Sequence, residues 1–402
     1  MIVACSAAMV KPEDLAPLAG AMTAWRRDLH AHPELGFEET RTAAFVAATL
    51  REAGIEVAEG IARTGVVGSL TGTARASNRA IGLRADMDAL AMSEATGLPW
   101  ASTHPGRMHA CGHDGHTAML LGAALWLARH RDRFAGTLRL IFQPAEESRG
   151  GADAMLADGL FARFPVDAVY GLHNLPGLPL GTIAVPRDKV LASSDTWGVV
   201  FRGRGTHGAK PHLGTDAVLA AAAFIQAIQA IVSRETDPLE PAVVSVGAIA
   251  AGDAKAPNVI PAEVRLTGTA RAFSAAVRDR LEARLAAIAH GVAATHGVAA
   301  EPSYTRRLSP TRNHPDHAVR MASAAAATLG AEHARDDHPP ITAGEDFSSF
   351  LGAVPGAYAW LGTGDPAHPE GVHHNPRFDF NDAALVHGAA FWCGLALQEL
   401  AP

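Results

Sequence analysis

HACGHDGHTAMLLGAALWLARHRDRFAGTLRLIFQPAEE, residues 109–147, carries the pattern that decides the fold. A loop dense in histidine runs into an apolar segment of helical length (114–131), and then comes TLRLIF (137–142), a short β-rich run that ends on a proline and two acids. Helix-period segments alternating with continuous apolar runs are the repeating unit of a parallel sheet covered on both faces. The alternation continues outward. Helices are expected at 13–31 and 38–53, and further strands at 65–70, 80–85 and 167–172. Residues 13–185 therefore read as an α/β domain with a mainly parallel sheet and helices on both faces. Such a sheet gathers its functional groups where strands end and loops begin.

At 402 residues the chain exceeds the size at which one hydrophobic core keeps growing, so two domains are expected. The character changes near Ser193. A strand (TWGVVFRG), a loop rich in Gly and His, a helix at 215–233, strands at 242–249 and 262–273 and a helix at 275–296 follow in order. This reads as an inserted α+β domain over 192–302. Residues 1–191 and 303–402 then form one discontinuous domain, closed by a helix from Asn381 to Leu400.

Composition removes several function classes. Hydrophobic residues make up 48% and charged residues 19%, as in an ordinary globular protein rather than a disordered one. The net charge of −7 (34 basic against 41 acidic residues) argues against a nucleic-acid partner. Cys5, Cys111 and Cys393 are too few and scattered for a disulfide framework, which fits a reducing compartment. The start, MIVACSAAMV, is apolar but short and lacks a preceding basic residue, so neither a signal peptide nor a lipoprotein site at Cys5 is expected. The longest apolar stretch, Thr117 to Ala128, falls below the ~20 residues of a membrane span. A cytoplasmic protein without a membrane partner is the expectation.

The chemistry-bearing residues fall at strand ends. Cys111 and His113 are two apart and can face one centre if the backbone is extended there. Glu146 and Glu147 follow the TLRLIF strand, His173 ends the DAVYGL strand, and His373-His374 precedes Asn375-Pro376 in a late loop. One thiolate, several imidazoles and a carboxylate suit zinc, and also manganese, cobalt or nickel. Two such ions about 3.5–4 Å apart would share a hydroxide that attacks a carbonyl. Consecutive residues of an extended segment point in opposite directions, so Glu146 and Glu147 are expected to differ in role. One would bind metal and its neighbour would take the proton of the attacking water. His30, His32, His104, His130, His290 and His296 read as ordinary scattered histidines.

These residues stand in motifs that resemble the M20 metallopeptidase family, specifically its amidohydrolase branch of hippurate hydrolases, aminoacylases and plant auxin-conjugate hydrolases. The motifs span nearly the whole chain: RRDLHAHPELGFEE (26–39), LRADMDAL (83–90), HACGHDGH (109–116), FQPAEE (142–147), GLHN (171–174), GTHGAKPH (205–212), NVIP (258–261), AGEDF (343–347) and HHNPRFDFND (373–382). The resemblance implies two divalent metal ions held by Cys111, His113, Glu147, His173 and His374, with Glu146 as general base. His374 is taken in preference to His373 because the motif's ligand directly precedes an x-Pro step. Asp86 is not expected to be a ligand, and Asp88 is expected to orient a ligating histidine. The inserted domain resembles the family's lid and dimerisation domain and implies a homodimer or homotetramer. His207 would hold the oxyanion in the partner subunit's site, Asn258 would assist, and Arg271 would bind the substrate carboxylate.

The implied reaction is hydrolysis of the amide bond of an N-acyl amino acid, hippurate-like or N-acetylated, to a carboxylate and a free amino acid. Alternatives using the same site are a dipeptidase or carboxypeptidase-type peptidase, or a deacetylase of an N-acetylated or N-succinylated biosynthetic intermediate. A cysteine hydrolase with Cys111 as nucleophile and a non-catalytic binding protein are the competing classes. Against the last of these, every expected position is filled.

Overall fold

The computed structural model describes residues 9–147, 150–364 and 371–402. Cys5 and most of the apolar start lie outside them. The described chain forms two compact units, one of residues up to Val190 with Arg312–Pro339 and Ser349–Pro402, the other of Leu191–Thr311 with Pro340–Ser348.

The first unit is built on an eight-stranded sheet. Its order is Glu56–Ile61, Gly65–Thr71, Thr137–Gln143, Ala80–Asp86, Ala168–Pro179, Gly356–Gly364, Ile183–Ala184 and Ala334–Arg335. The four central strands run parallel, and antiparallel pairs flank them on both sides. Gly65–Thr71 is one of the antiparallel members, because it leaves the tight turn after Glu56–Ile61 as the second arm of a hairpin. The central Ala80–Asp86 strand is buried along its whole length, as a strand covered on both faces must be. The Gly356–Gly364 strand escaped the sequence reading. Its run GAYAWLGTG is flanked by glycines and lies far along the chain from the strand it pairs with, Ala168–Pro179.

Helices form at Ala16–Ala31, Thr40–Glu52, His113–Ala128 and Leu385–Glu399, within a few residues of the expected spans. His113–Ala128 is polar in its first turn and apolar beyond it, with 14 of its 16 residues buried. It is a central helix, enclosed by the sheet and by the Ala16–Ala31, Thr40–Glu52 and Leu385–Glu399 helices. At about 25 cal/mol per Å² of apolar surface, this interior is the main source of the unit's stability.

The second unit is α+β. Strands Ala242–Ala251, Glu263–Ala272, Ser194–Arg202 and Ala299–Leu308 form an antiparallel sheet in that order. Helices Ala217–Arg234 and Ala275–His296 pack on it around Trp197, Phe201, Phe224 and Leu281. Asp216 and Ser274 cap the two helices. The unit extends past residue 302, since Ala299–Leu308 pairs along Ser194–Arg202. The exposed, charge-bearing alternation of AAEPSYTRRL hid that edge strand. Pro340–Ser348 also joins this unit, where Ala192 N donates to the carbonyls of Ile341 and Ala343. Among the described residues, Ala217–Arg234, rather than 117–128, is the helix long and apolar enough, by length and composition, to cross a membrane. One side of it, including Phe224, Ile228 and Ile231, lies in the unit's core.

Candidate metal centre

Three adjacent strands and one helix of the first unit deliver the clustered side chains. Ala80–Asp86 leads into Asp88, Thr137–Gln143 leads through Pro144 into the Glu pair, His173 lies on Ala168–Pro179, and His113 opens the central helix. His173 does not end its strand, which continues to Pro179. Gly112 turns the chain into the helix at φ 93°, and a Cβ there would sit 2.4 Å from Asn174 Oδ1. Only glycine fits.

Glu146 and Glu147 occupy a turn rather than an extended segment, because Ala145 adopts φ 55°. The expectation that consecutive acids face opposite ways therefore fails here. Oxygens of both carboxylates lie with a His113 ring nitrogen in one group whose atoms are mutually within 4.8 Å. Two buried acids hold this strained turn. Asp88 accepts the Glu146 N–H at Oδ1 (3.0 Å) and the Glu147 N–H at Oδ2 (2.9 Å). Glu39, fully buried, accepts the Ala145 N–H (2.8 Å) and the Thr64 hydroxyl (2.6 Å).

The same 4.8 Å grouping joins Cys111 with His113 and His173, and Cys111 with Glu147 and His374. Cys111 Sγ is 3.4 Å from His173 Nε2, and His374 Nε2 is 3.2 Å from Glu147 Oε1. All five residues expected as ligands are thus brought together, Cys111 being common to two groups. His374 reaches this position with φ 60°, its N–H donating to Ala110 O. His373 turns elsewhere, with Nε2 3.0 Å from Asn174 Nδ2.

The tautomers point inward. His113 Nδ1 donates to the Asp88 carbonyl (2.9 Å), with Asp88 Oδ1 at 3.3 Å, and His173 Nδ1 donates to the Asn174 carbonyl (2.8 Å). Each imidazole therefore presents Nε2 to the cluster, and His113 Nε2 is buried with no hydrogen-bond partner among the described residues. Unsatisfied buried groups of this kind are costly unless a ligand takes them.

The electrostatics are those of a site crowded with anions. Burial and the carboxylates of Glu147, Glu146 and Asp86 push the Cys111 thiol well above its ordinary range. Burial opposes charge on His113, but Asp86 and Asp88 outweigh it and lift that imidazole to about 10. Burial and the neighbouring imidazoles of His116 and His373 hold His173 well below its usual value, so it stays neutral. Burial works against ionisation of Glu147, yet His374 and His113 keep it below the usual carboxylate range. The protons on Cys111 and His113 occupy the place of positive charge that a divalent cation would supply.

The remaining expected residues lie in the second unit. His207, exposed, sits on the two-residue strand Thr206–His207 paired with Val259–Ile260, and its Nδ1 accepts the Ala209 N–H (3.0 Å). Gly208 N donates to the Asn258 carbonyl (2.7 Å), so His207 and Asn258 are neighbours. Arg271, half-buried on Glu263–Ala272, donates through Nη1 to the Ser194 hydroxyl.

Several polar residues around the cluster went unread in the sequence. His30 is not a scattered surface histidine; it is fully buried, with Nδ1 2.8 Å from Asp114 Oδ2. His116 lies one helical turn after His113 and reaches both Asp86 (2.5 Å) and Asn174 (2.8 Å). The spacing of HDGH, i to i+3, was the available signal.

Inward-facing imidazoles and paired carboxylates at the carboxyl edge of a parallel sheet are what a metal-dependent hydrolase presents to its ions. Comparison with known proteins makes the assignment specific. The chain belongs to peptidase family M20/M25/M40, whose model matches residues 82–398. It is 40% identical to a hippurate hydrolase of Campylobacter jejuni over 388 residues, covering 96% of this chain and 98% of that one. It is 39% identical to an N-acetyl-L-cysteine deacetylase of Bacillus subtilis over 382 residues, covering 94% of this chain and 88% of the other. Among solved structures it resembles a Bacillus subtilis protein described as a dinuclear metal-binding peptidase from the M20 family. The TM-score is 0.83 at 34% identity, over 96% of this chain and 99% of that one.

Proposed function

We propose that this chain is a two-metal amidohydrolase that cleaves the amide bond of N-acyl amino acids, releasing a carboxylate and a free amino acid. The observation that carries the reading is that Cys111 forms one potential metal-holding group with His113 and His173 and a second with Glu147 and His374, while His113 Nε2 is buried with no hydrogen-bond partner among the described residues. The activities of the similar hippurate hydrolase and N-acetylcysteine deacetylase, and the dinuclear centre of the similar solved structure, support it. Cys111, His113, Glu147, His173 and His374 would hold the ions. Zinc is the expected metal, since thiolate with imidazole suits it, and manganese, cobalt or nickel fit the same donors. Two divalent ions bound there would supply Lewis-acid polarisation of a carbonyl and would lower the pKa of a water toward neutrality.

The chain's own groups supply the rest. Glu146 shares a backbone turn with Glu147, and the family resemblance gives its carboxylate the part of general base, taking the water's proton and returning it to the leaving amine. Asp88 fixes both the Glu turn and His113. His207 stabilises the oxyanion with help from Asn258, and Arg271 binds the substrate carboxylate through its planar fork. His207 would act on the site of a second copy of this chain, as a homodimer or within a homotetramer. The apolar edge strand Ala242–Ala251, exposed along its second half with Ile249 56% accessible, supports such pairing. Three cysteines in 402 residues, with Cys111 and Cys393 both free, fit a cytoplasmic enzyme.

The test is hydrolysis of hippurate, N-acetylmethionine and N-acetylcysteine by protein stripped with a chelator and reloaded with zinc, manganese or cobalt. Activity that vanishes on stripping and returns with metal is the expected result. Cleavage of simple dipeptides alone would replace the reading with a dipeptidase, and inactivity toward every amide with every metal would overturn it.

A further inference from the structure

Each of the three histidines assigned to the metal centre has a polar neighbour outside the proposed ligand set. His113 has His116 one helical turn on, His173 has Asn174 beside it, and His374 has His373. Those neighbours are bonded to one another. Asp86 Oδ1 is 2.5 Å from His116 Nδ1, His116 Nε2 is 2.8 Å from Asn174 Oδ1, and Asn174 Nδ2 donates to His373 Nε2 at 3.0 Å. Behind Asp86 the chain is anchored by Arg84, fully buried, which donates from Nη1 to Asp86 Oδ2 (2.6 Å) and from Nε to Gln143 Oε1 (2.8 Å).

We propose that Asp86, His116, Asn174 and His373 form a positioning chain that holds the three metal-facing histidine segments in register, with His373 the residue that places His374. The inference rests on the two-metal reading above and deepens it.

The need for such a device follows from the late loop. His374 is exposed over half its side chain, so packing does not hold its ring. Its backbone lies in the left-handed region, which a non-glycine residue keeps only when its surroundings over-determine it. His373 provides the determination. Its ring stands against His173 (centroids 5.0 Å apart) and Phe378 (5.6 Å), and its Nε2 is tied to Asn174. With that ring held and the His374 N–H on the Ala110 carbonyl, the peptide between them has little freedom, and His374 is aimed at Cys111 and Glu147. The chain also explains Gly112, whose missing Cβ leaves Asn174 its place between His116 and His373. Because Asn174 directly follows His173, a shift in the late loop is felt by a second metal-facing histidine.

The experiment compares wild type, His373→Phe, His373→Gln and Asn174→Ala, each loaded with cobalt. Four quantities are read: ions bound per chain, metal affinity, the visible ligand-field spectrum, and kcat and KM for an N-acyl amino acid. Loss of an outer partner of a metal ligand typically costs ~10–100-fold in metal affinity or activity. His373→Phe and Asn174→Ala should each weaken one of the two ions by about that factor, change the cobalt spectrum, and lower kcat more than they raise KM. His373→Gln, whose amide oxygen can accept the Asn174 N–H where ring Nε2 did, should recover most of the loss. A purely structural role would lower the thermal midpoint while leaving the spectrum of the folded fraction unchanged, and that result overturns the proposal. So do wild-type affinity and turnover in His373→Phe. If His373→Phe does not fold, Asn174→Ala, which leaves both histidines in place, decides alone. Wild type that binds two ions and hydrolyses substrate while the variants match it refutes only the positioning chain. Wild type that does neither refutes the two-metal reading itself.

Discussion

Replacing Asp88 by asparagine tests the part of the site on which the Glu pair depends. The carboxylate accepts two backbone N–H groups, Glu146 at 3.0 Å and Glu147 at 2.9 Å, one on each oxygen. Hydrogen bonds to a charged acceptor contribute roughly 1.5–3 kcal/mol each, and stranding a buried donor costs about 1–3 kcal/mol. Asparagine can accept from only one of the two donors and turns its own N–H₂ toward the other. One bond is lost, one donor is left opposite a donor, and the remaining bond becomes neutral. Because the turn is only partly buried, the expected loss is about 2–4 kcal/mol. At roughly 2–4 °C per kcal/mol, the thermal midpoint should fall about 4–16 °C. The functional loss should be larger than the structural one. Ala145 is held at φ 55° only while its neighbours are pinned, so the turn relaxes and the Glu146 carboxylate moves. Displacement of a catalytic group by ~1 Å can cost on the order of 100-fold in rate. Circular dichroism melting and steady-state hydrolysis of an N-acyl amino acid on metal-loaded protein measure both. An unchanged melting midpoint together with unchanged kcat would refute the assignment of Asp88 as the clamp of this turn.

The other expectations are more direct. Glu146→Ala should lose ~10²–10⁴-fold in turnover while still binding two ions, as measured by elemental analysis and initial rates; full activity would remove Glu146 as the base. Metal binding should weaken steeply as pH falls, because burial and nearby carboxylates hold the proton on Cys111 well above the ordinary thiol range and His113 near 10, and binding must displace both. A zinc affinity flat between pH 6 and 8.5 would contradict this. His30 should make stability depend on pH in the alkaline direction. Burial opposes its charge, yet Asp114 raises it to about 9, above its ordinary 6.5. The stabilisation, at most roughly 3 kcal/mol, is therefore fully present below about pH 6.5 and lost as pH rises through 9. Urea unfolding of wild type and His30→Gln across pH 6–10 should show the difference between them shrinking with pH, and a constant difference would disprove it.

Strands, helices and their alternation were legible because they follow from local periodicity, and the central helix and the TLRLIF strand read correctly to within a few residues. The ligand candidates were legible because a sheet of this kind gathers chemistry at its carboxyl edge, so their order along the chain already placed them together. Two features were not readable. The edge strand Ala299–Leu308 is half solvated and charged, so its pairing with Ser194–Arg202 leaves no periodic trace that outweighs its polarity. The Gly356–Gly364 strand completes the parallel centre by pairing with a partner nearly two hundred residues away, a contact that no local pattern encodes.

By itself the sequence determined which side chains are available and at which strand ends they emerge, because both depend on residue type and short-range order. The tertiary structure decided how they are aimed. It put Glu146 and Glu147 on one side of a left-handed turn, directed His374 rather than His373 to the Cys111–Glu147 group, and buried His30 against Asp114. Those outcomes depend on hydrogen bonds accepted by Asp88, Glu39 and Asp114 and donated by Asn174, residues distant in the chain from the groups they hold. The orientation of a side chain is set by the partners that surround it in space, and spacing along a sequence does not specify them.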